Sequence, residues 1–204
     1  MKRKLFLLMF ALLCAVAQGA WAQTSVSTDS ELRAAIKNDG ANITVTADIN
    51  LSNSTLSIES GKTVTIDLGG HTLDRKLTKR GDNGGQVITV RKNATLNLSN
   101  GTLKGGWGGD SGGLLNEGGT VTLTDVNITG NTADDRGGGI SNHGTLTMTG
   151  GTISGNIDKD GTGPSGGGGI FNYEGATATL TGVTITGNEA KVYGGAGTCP
   201  YHKH

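Results

Sequence analysis

The sequence is poor in most of what builds a compact core. Its 204 residues include two cysteines, two prolines, two tryptophans, three tyrosines and three phenylalanines. Cys14 lies in the amino-terminal apolar run; once that run is removed, Cys199 has no intrachain partner, and a disulfide framework is excluded. Seventeen basic residues balance seventeen acidic ones, and a formal charge of zero gives no electrostatic ground for a nucleic-acid or anionic-lipid partner. Long apolar runs are scarce as well. Leu5 to Val16 is the longest, and its length of about 12 residues falls short of the roughly 20 that a spanning helix needs.

That run has a different purpose. Lys2, Arg3 and Lys4 precede it, and Ala20 and Ala22 flank Trp21 after it. This is the layout of a secretory signal peptide over residues 1–22, with the mature chain starting near Gln23 and not spanning a membrane. The expected location is outside the cytoplasm, secreted or at the cell surface.

Glycine is what the chain has in quantity, 37 residues of it. Such composition marks disorder unless a repeat organises it, and a repeat is present. TVTIDLGGHTL (63–73), NATLNLSNGTL (93–103), TVTLTDVNIT (120–129), TLTMTGGTIS (145–154) and TATLTGVTIT (177–186) align with one another. Each carries an apolar pair two residues apart: Ile66/Leu68, Leu96/Leu98, Val121/Leu123, Leu146/Met148 and Ala178/Leu180. A third apolar residue follows: Leu73, Leu103, Ile128, Ile153 and Ile185, offset by 30, 25, 25 and 32 residues.

Alternation of apolar residues with Thr or Asn is the pattern of a strand with one buried face. No single copy can bury that face; stacked copies can. Gly70, Asn100, Asp125, Gly150 and Gly182 recur at one position, and these residue types tolerate a left-handed backbone, which predicts a corner in each coil. A second element, GGLLN (112–116), GGGISN (137–142) and GGGIFN (167–172), ends in Asn116, Asn142 and Asn172, and another Asn recurs at 131, 156 and 188. Stacked asparagines at bends predict hydrogen-bonded ladders along the axis.

The ends differ from the repeat. TDSELRAAIKNDG (28–40) has a capping box in Thr28 and Glu31, a face formed by Leu32, Ala35 and Ile36, and Gly40 as a stop. A short helix there would cover the first coil, with ITVTADINL (43–51) and TLSIES (55–60) as an irregular first turn. The organisation expected is therefore a signal peptide (1–22), a capping-helix region (23–42), a parallel β-helix (43–198) and an irregular tail (199–204). The tail ends without an amphipathic cap, as in a truncated piece of a longer parent.

With GGGI at 137–140 and 167–170 beside TGVTITGN, the chain resembles right-handed parallel β-helix proteins of the pectin-lyase-like superfamily. Within it, the chain is similar to secreted bacterial proteins with polymorphic-outer-membrane-protein-type repeats. The Phe-containing motif departs from that pattern, since Asn172 and Tyr173 follow Phe171 directly. The resemblance implies an all-β, right-handed, single-stranded parallel β-helix with three short strands per coil, and functions in adhesion or surface display. In other branches it implies polysaccharide cleavage through carboxylates, calcium and a basic residue.

The candidate chemistry is sparse. Asp134 and Asp135 occupy an inserted segment, Asp158 and Asp160 the corresponding one a coil later; stacked, they offer hard oxygen ligands to calcium, the one cofactor the sequence suggests. Cys199, His202 and His204 have metal-like spacing but offer three ligands at the chain end. His71 and His143 read as surface residues. Trp107 in a glycine-rich stretch and Tyr173 are the aromatics suited to stack on a sugar. Thr122, Thr147 and Thr179 centre T-x-T arrays, which suit an outward strand face and, as a minor alternative, a flat ligand surface. The combination favours a non-catalytic surface scaffold that contacts a polysaccharide or a host or cell-surface glycan. The alternatives are a fragment of a polysaccharide lyase or glycosidase, which needs paired carboxylates, and an ice-binding solenoid.

Overall fold

The computed structural model describes residues 23–51, 54–81, 84–159 and 166–191. Within them every strand pairing is parallel, and the strands form three stacked sheets, an arrangement compatible with a β-solenoid. Sheet I has eleven strands. Its spine runs through Thr24–Val26, Ala41–Val45, Thr63–Asp67, Thr95–Lys104, Thr120–Thr129, Thr145–Thr149 and Thr177–Thr181. Sheet II stacks Leu56–Ile58, Ile88–Val90, Leu114–Asn116, Ile140–Asn142 and Ile170–Asn172. Sheet III stacks Trp107–Gly108, Thr132–Ala133, Ile157–Asp158 and Glu189–Ala190.

The apolar columns stand in register. Ile43, Ile66, Leu98, Leu123 and Met148 lie one above another, each fully buried or nearly so. Leu56, Ile88, Leu114, Ile140 and Ile170 form the facing column of sheet II. Burying each such side chain contributes about 1.5–3 kcal/mol, and stacking identical positions lets every coil use the neighbour's core. In the last described coil Ala178, Leu180, Val183 and Ile185 are only partly buried.

The left-handed corners are present. Gly70, Asn100, Asp125, Gly150 and Gly182 all have positive φ, from 53° at Asp125 to 86° at Gly70. The sequence alignment of the first copy needs a correction, however. Val64 and Ile66, not Ile66 and Leu68, pair with Leu96 and Leu98, while Leu73 still pairs with Leu103. Two extra residues at that corner, where Gly69 also has positive φ, absorb the slip.

The triple-glycine runs serve close approach rather than freedom of φ. A Cβ on Gly139 would lie 2.6 Å from the Gly169 carbonyl oxygen, and one on Gly138 would lie 2.5 Å from that of Gly168. The coils pass each other there backbone to backbone, as Ile140 N–H donating to Gly169 at 2.9 Å shows.

The capping helix spans Asp29–Ala35. Thr28 accepts from the Glu31 amide, Glu31 reaches back to the Thr28 amide, and Leu32 and Ala35 are buried. Ahead of it the structure adds a strand that the sequence reading did not place: Thr24–Val26, paired with Ile43–Val45. Nor is the first coil irregular, since Ala41–Val45, Ile49–Asn50 and Leu56–Ile58 each join a sheet in register. The proposed metal-like trio of Cys199, His202 and His204, the signal segment and the tail lie outside the described residues.

Candidate functional site

Two asparagine ladders hold the bends on which the surface groups sit. Asn116 donates to Asn142 at 2.8 Å and Asn142 to Asn172 at 2.7 Å. Asn131 donates to Asn156 at 3.0 Å and Asn156 to Asn188 at 2.9 Å. Each ladder also binds backbone: Asn142 donates to the Thr177 carbonyl at 3.0 Å, Asn156 to that of Ile128 at 2.8 Å. Buried carboxamides so fully used fix the chain direction at each bend.

The residue after each bend of sheet II points its chemistry outward. Backbone bonds extend the stacking by one position: Arg91 N to Ile58, Glu117 N to Val90, His143 N to Asn116 and Tyr173 N to Asn142. The result is a column of Glu59, Arg91, Glu117, His143 and Tyr173. One Arg91 nitrogen reaches both Glu117 oxygens, at 2.9 and 2.7 Å; that hydrogen bond raises the Arg91 pKa. Above the pair, the His143 and Tyr173 rings stack at 4.7 Å with 13° between their planes.

Phe171, 3% exposed, meets Tyr173 edge-on at 6.1 Å. The Arg136 guanidinium lies 5.9 Å from the Phe171 ring centre and 6.0 Å from that of Tyr173, and Asp110 holds it at 2.9 Å. Burial, then the Arg136 charge, pushes the His143 pKa down; Asp110 and Glu117 oppose this. Tyr173 is 46% exposed, the one large hydrophobic residue to be so among the described residues. The Ser141 hydroxyl is 3.3 Å from His143 Nε2, yet Ser141 is wholly buried and offers no nucleophile to a substrate.

Trp107 departs from the expected open loop aromatic. It forms a strand with Gly108, is half-buried, donates its indole N–H to Asp134 at 2.7 Å, and has Lys159 Nζ 3.5 Å from its ring centre. A ring with its N–H satisfied and an ammonium over one face is a clamp between coils. Arg80 lies 3.4 Å from the other Asp134 oxygen.

Of the proposed calcium carboxylates, Asp134, Asp135 and Asp158 lie among the described residues. Asp158 pairs with Ala133 rather than with Asp134, and it sits in a fully buried strand position. Asp134 is engaged by Trp107, Asp135 lies 3.8 Å from Arg136, and Asp160 lies outside the described residues. Among the described residues no three His, Cys, Asp or Glu side chains gather as a metal-holding group.

The threonine array is in register. Thr120, Thr122 and Thr124 pair with Thr145, Thr147 and Thr149, and these with Thr177, Thr179 and Thr181. One coil lower, Asn97 and Ser99 interrupt it.

Sequence reasoning named Tyr173 but missed its partners. The signal available was position: Glu117, His143 and Tyr173 each directly follow a ladder asparagine. No family model, no curated protein and no solved structure matches this chain.

Proposed function

We propose that this chain is a secreted or surface-displayed bacterial scaffold that contacts glycans and does not turn them over. The observation that carries the reading is Tyr173, exposed at the top of the sheet II column and backed by His143 at 4.7 Å. A planar ring stacked on one neighbour and still partly exposed is a usual means of contacting a sugar, and polar neighbours such as Arg136 and Asp110 supply hydrogen bonds near it. Beside this column Arg91 is paired with Glu117 and Arg136 with Asp110 along the stack, rather than facing one another across a cleft as acid and nucleophile would.

In the same reading the fold is a right-handed, single-stranded parallel β-helix of the pectin-lyase-like kind, with three short strands per coil. Three parallel sheets visited in turn support the strand count, and parallel crossovers are overwhelmingly right-handed. Residues 1–22 are its signal peptide. A second reading, ice binding, draws support from the nine threonines in register on sheet I.

The deciding experiment is a glycan array with the chain from Gln23, run beside Tyr173→Ala and Trp107→Ala, with release of oligosaccharide followed in parallel. Binding that Tyr173→Ala abolishes and Trp107→Ala preserves, without release, is the expected result. Product release would overturn the scaffold reading, and thermal hysteresis without any array signal would transfer the function to the threonine face.

A further inference from the structure

A cavity of about 410 Å³ opens between the capping helix and the first coil of sheet II, at the low end of the volume range of small-ligand sites. Its walls carry more positive than negative charge, in a chain whose formal charge is zero. Arg33 is already committed: it binds Asp29 at 2.7 Å and donates to the Ser54 and Thr55 carbonyls at 2.6 and 3.1 Å. It holds the wall in place. Lys37, just past the helix, and Lys62, on the turn before Thr63–Asp67, have no side-chain hydrogen bond or ion pair among the described residues. Glu59 is the one carboxylate in the lining.

Behind the wall lies a second guanidinium. Arg75 is 5% exposed and donates to the Leu51 and Gly84 carbonyls at 2.7 and 3.1 Å. Burial first, and the Arg33 charge next, lower its pKa. Asp29 offsets part of that charge, so the positive field that an anion would relieve at the cavity comes chiefly from the two lysines in front.

We propose that this cavity binds a sugar-borne tetrahedral oxyanion, a phosphate or sulfate ester, with Lys37 and Lys62 as its cationic contacts. Lysine is a compact point charge suited to such a group, without the planar bidentate match that the fork of a free arginine makes with a carboxylate or a phosphate. The arginine present is occupied. Ser54, Ser57 and Ile36 also line the cavity, a mixture of polar and apolar residues that suits the sugar that carries the ester. The sugar part of this assignment rests on the glycan-contacting reading above; the oxyanion part does not.

Titration of the full chain with glucose 6-phosphate, glucose 6-sulfate, glucose and glucuronate, at low and high salt, tests it. Either ester is expected to bind, with affinity falling as salt rises, and glucose is not. Lys37→Gln with Lys62→Gln should weaken ester binding about tenfold or more, leave the circular dichroism spectrum unchanged, and leave array binding through Tyr173 intact. Tyr173→Ala should do the reverse. Ester binding untouched by the double lysine variant, or glucuronate binding as tightly as the esters, would overturn the assignment. Loss of array binding in wild type alone would overturn the glycan reading and leave the oxyanion site standing.

Discussion

The carboxamide of Asn142 donates to that of Asn172 at 2.7 Å, although 30 residues of chain separate them. Asn142 also accepts from Asn116 and from the Gly144 amide. Removing it strands polar groups on the coils to either side. Asn142→Ala should therefore cost about 2–3 kcal/mol, the penalty of leaving buried donors and acceptors unmade. Asn142→Asp should do no better, because a carboxylate has no N–H to give Asn172. Denaturant midpoints of both variants check this; an unchanged midpoint would mean the ladder adds nothing to stability.

Gly139 is a steric position and Gly130 a conformational one. A Cβ at Gly139 would press on the Gly169 carbonyl at 2.6 Å, whereas at Gly130, with φ of 62°, it would meet nothing within 4 Å. Gly139→Ala should cost about 3 kcal/mol through forced separation of the coils, Gly130→Ala about 1 kcal/mol through the left-handed backbone. Thermal melts of the two variants side by side measure the difference. Equal losses would refute the close-approach account.

Core burial thins toward the last described coil. Leu123 is fully buried, while its counterpart two coils on, Leu180, is partly exposed. Leu123→Ala should cost about 3 kcal/mol and Leu180→Ala clearly less, since the cavity term needs walls on all sides. Comparison of the two urea midpoints decides it; a larger loss at Leu180 would contradict the packing described.

His143 makes stability depend on pH. Its folded pKa lies below the ordinary 6.5 because burial, and then Arg136, disfavour the imidazolium. Below 6.5 the unfolded chain binds the proton more readily, so the contribution is complete above 6.5 and is lost as pH falls through the lower, folded value. His143→Gln should flatten the stability profile across that window. A slope unchanged by the substitution would assign the dependence to another group.

Much of this fold was legible because the columns repeat. Leu103, Ile128, Ile153 and Ile185 announce themselves by spacing, and the corner at Asn100, Asp125, Gly150 and Gly182 by residue type. Where spacing and register part company, the reading slipped. The two additional corner residues before Leu73 moved Val64 and Ile66 out of alignment. Thr24–Val26, three residues with only Val26 buried, gives no period to detect.

The surface chemistry was harder to read for a different physical reason. The column beyond the ladder asparagines holds Arg, Glu, His and Tyr, so its positions repeat while its residue types do not. The half-buried strand position of Trp107 and the fully buried one of Asp158 were not foretold, because glycine content and acidity describe a segment, not the side of a strand on which a residue falls.

The coil between Ile153 and Ile185 carries seven more residues than the one between Ile128 and Ile153, yet both join the same columns. Five of the seven fall between Ile157–Asp158 and Ile170–Asn172 and two between Asn172 and Thr177, and the flanking strands keep their partners at both places. Chain length is thus decoupled from stack height at these points. The first junction is a natural port for grafting: a foreign epitope inserted there would leave the register of the flanking strands undisturbed.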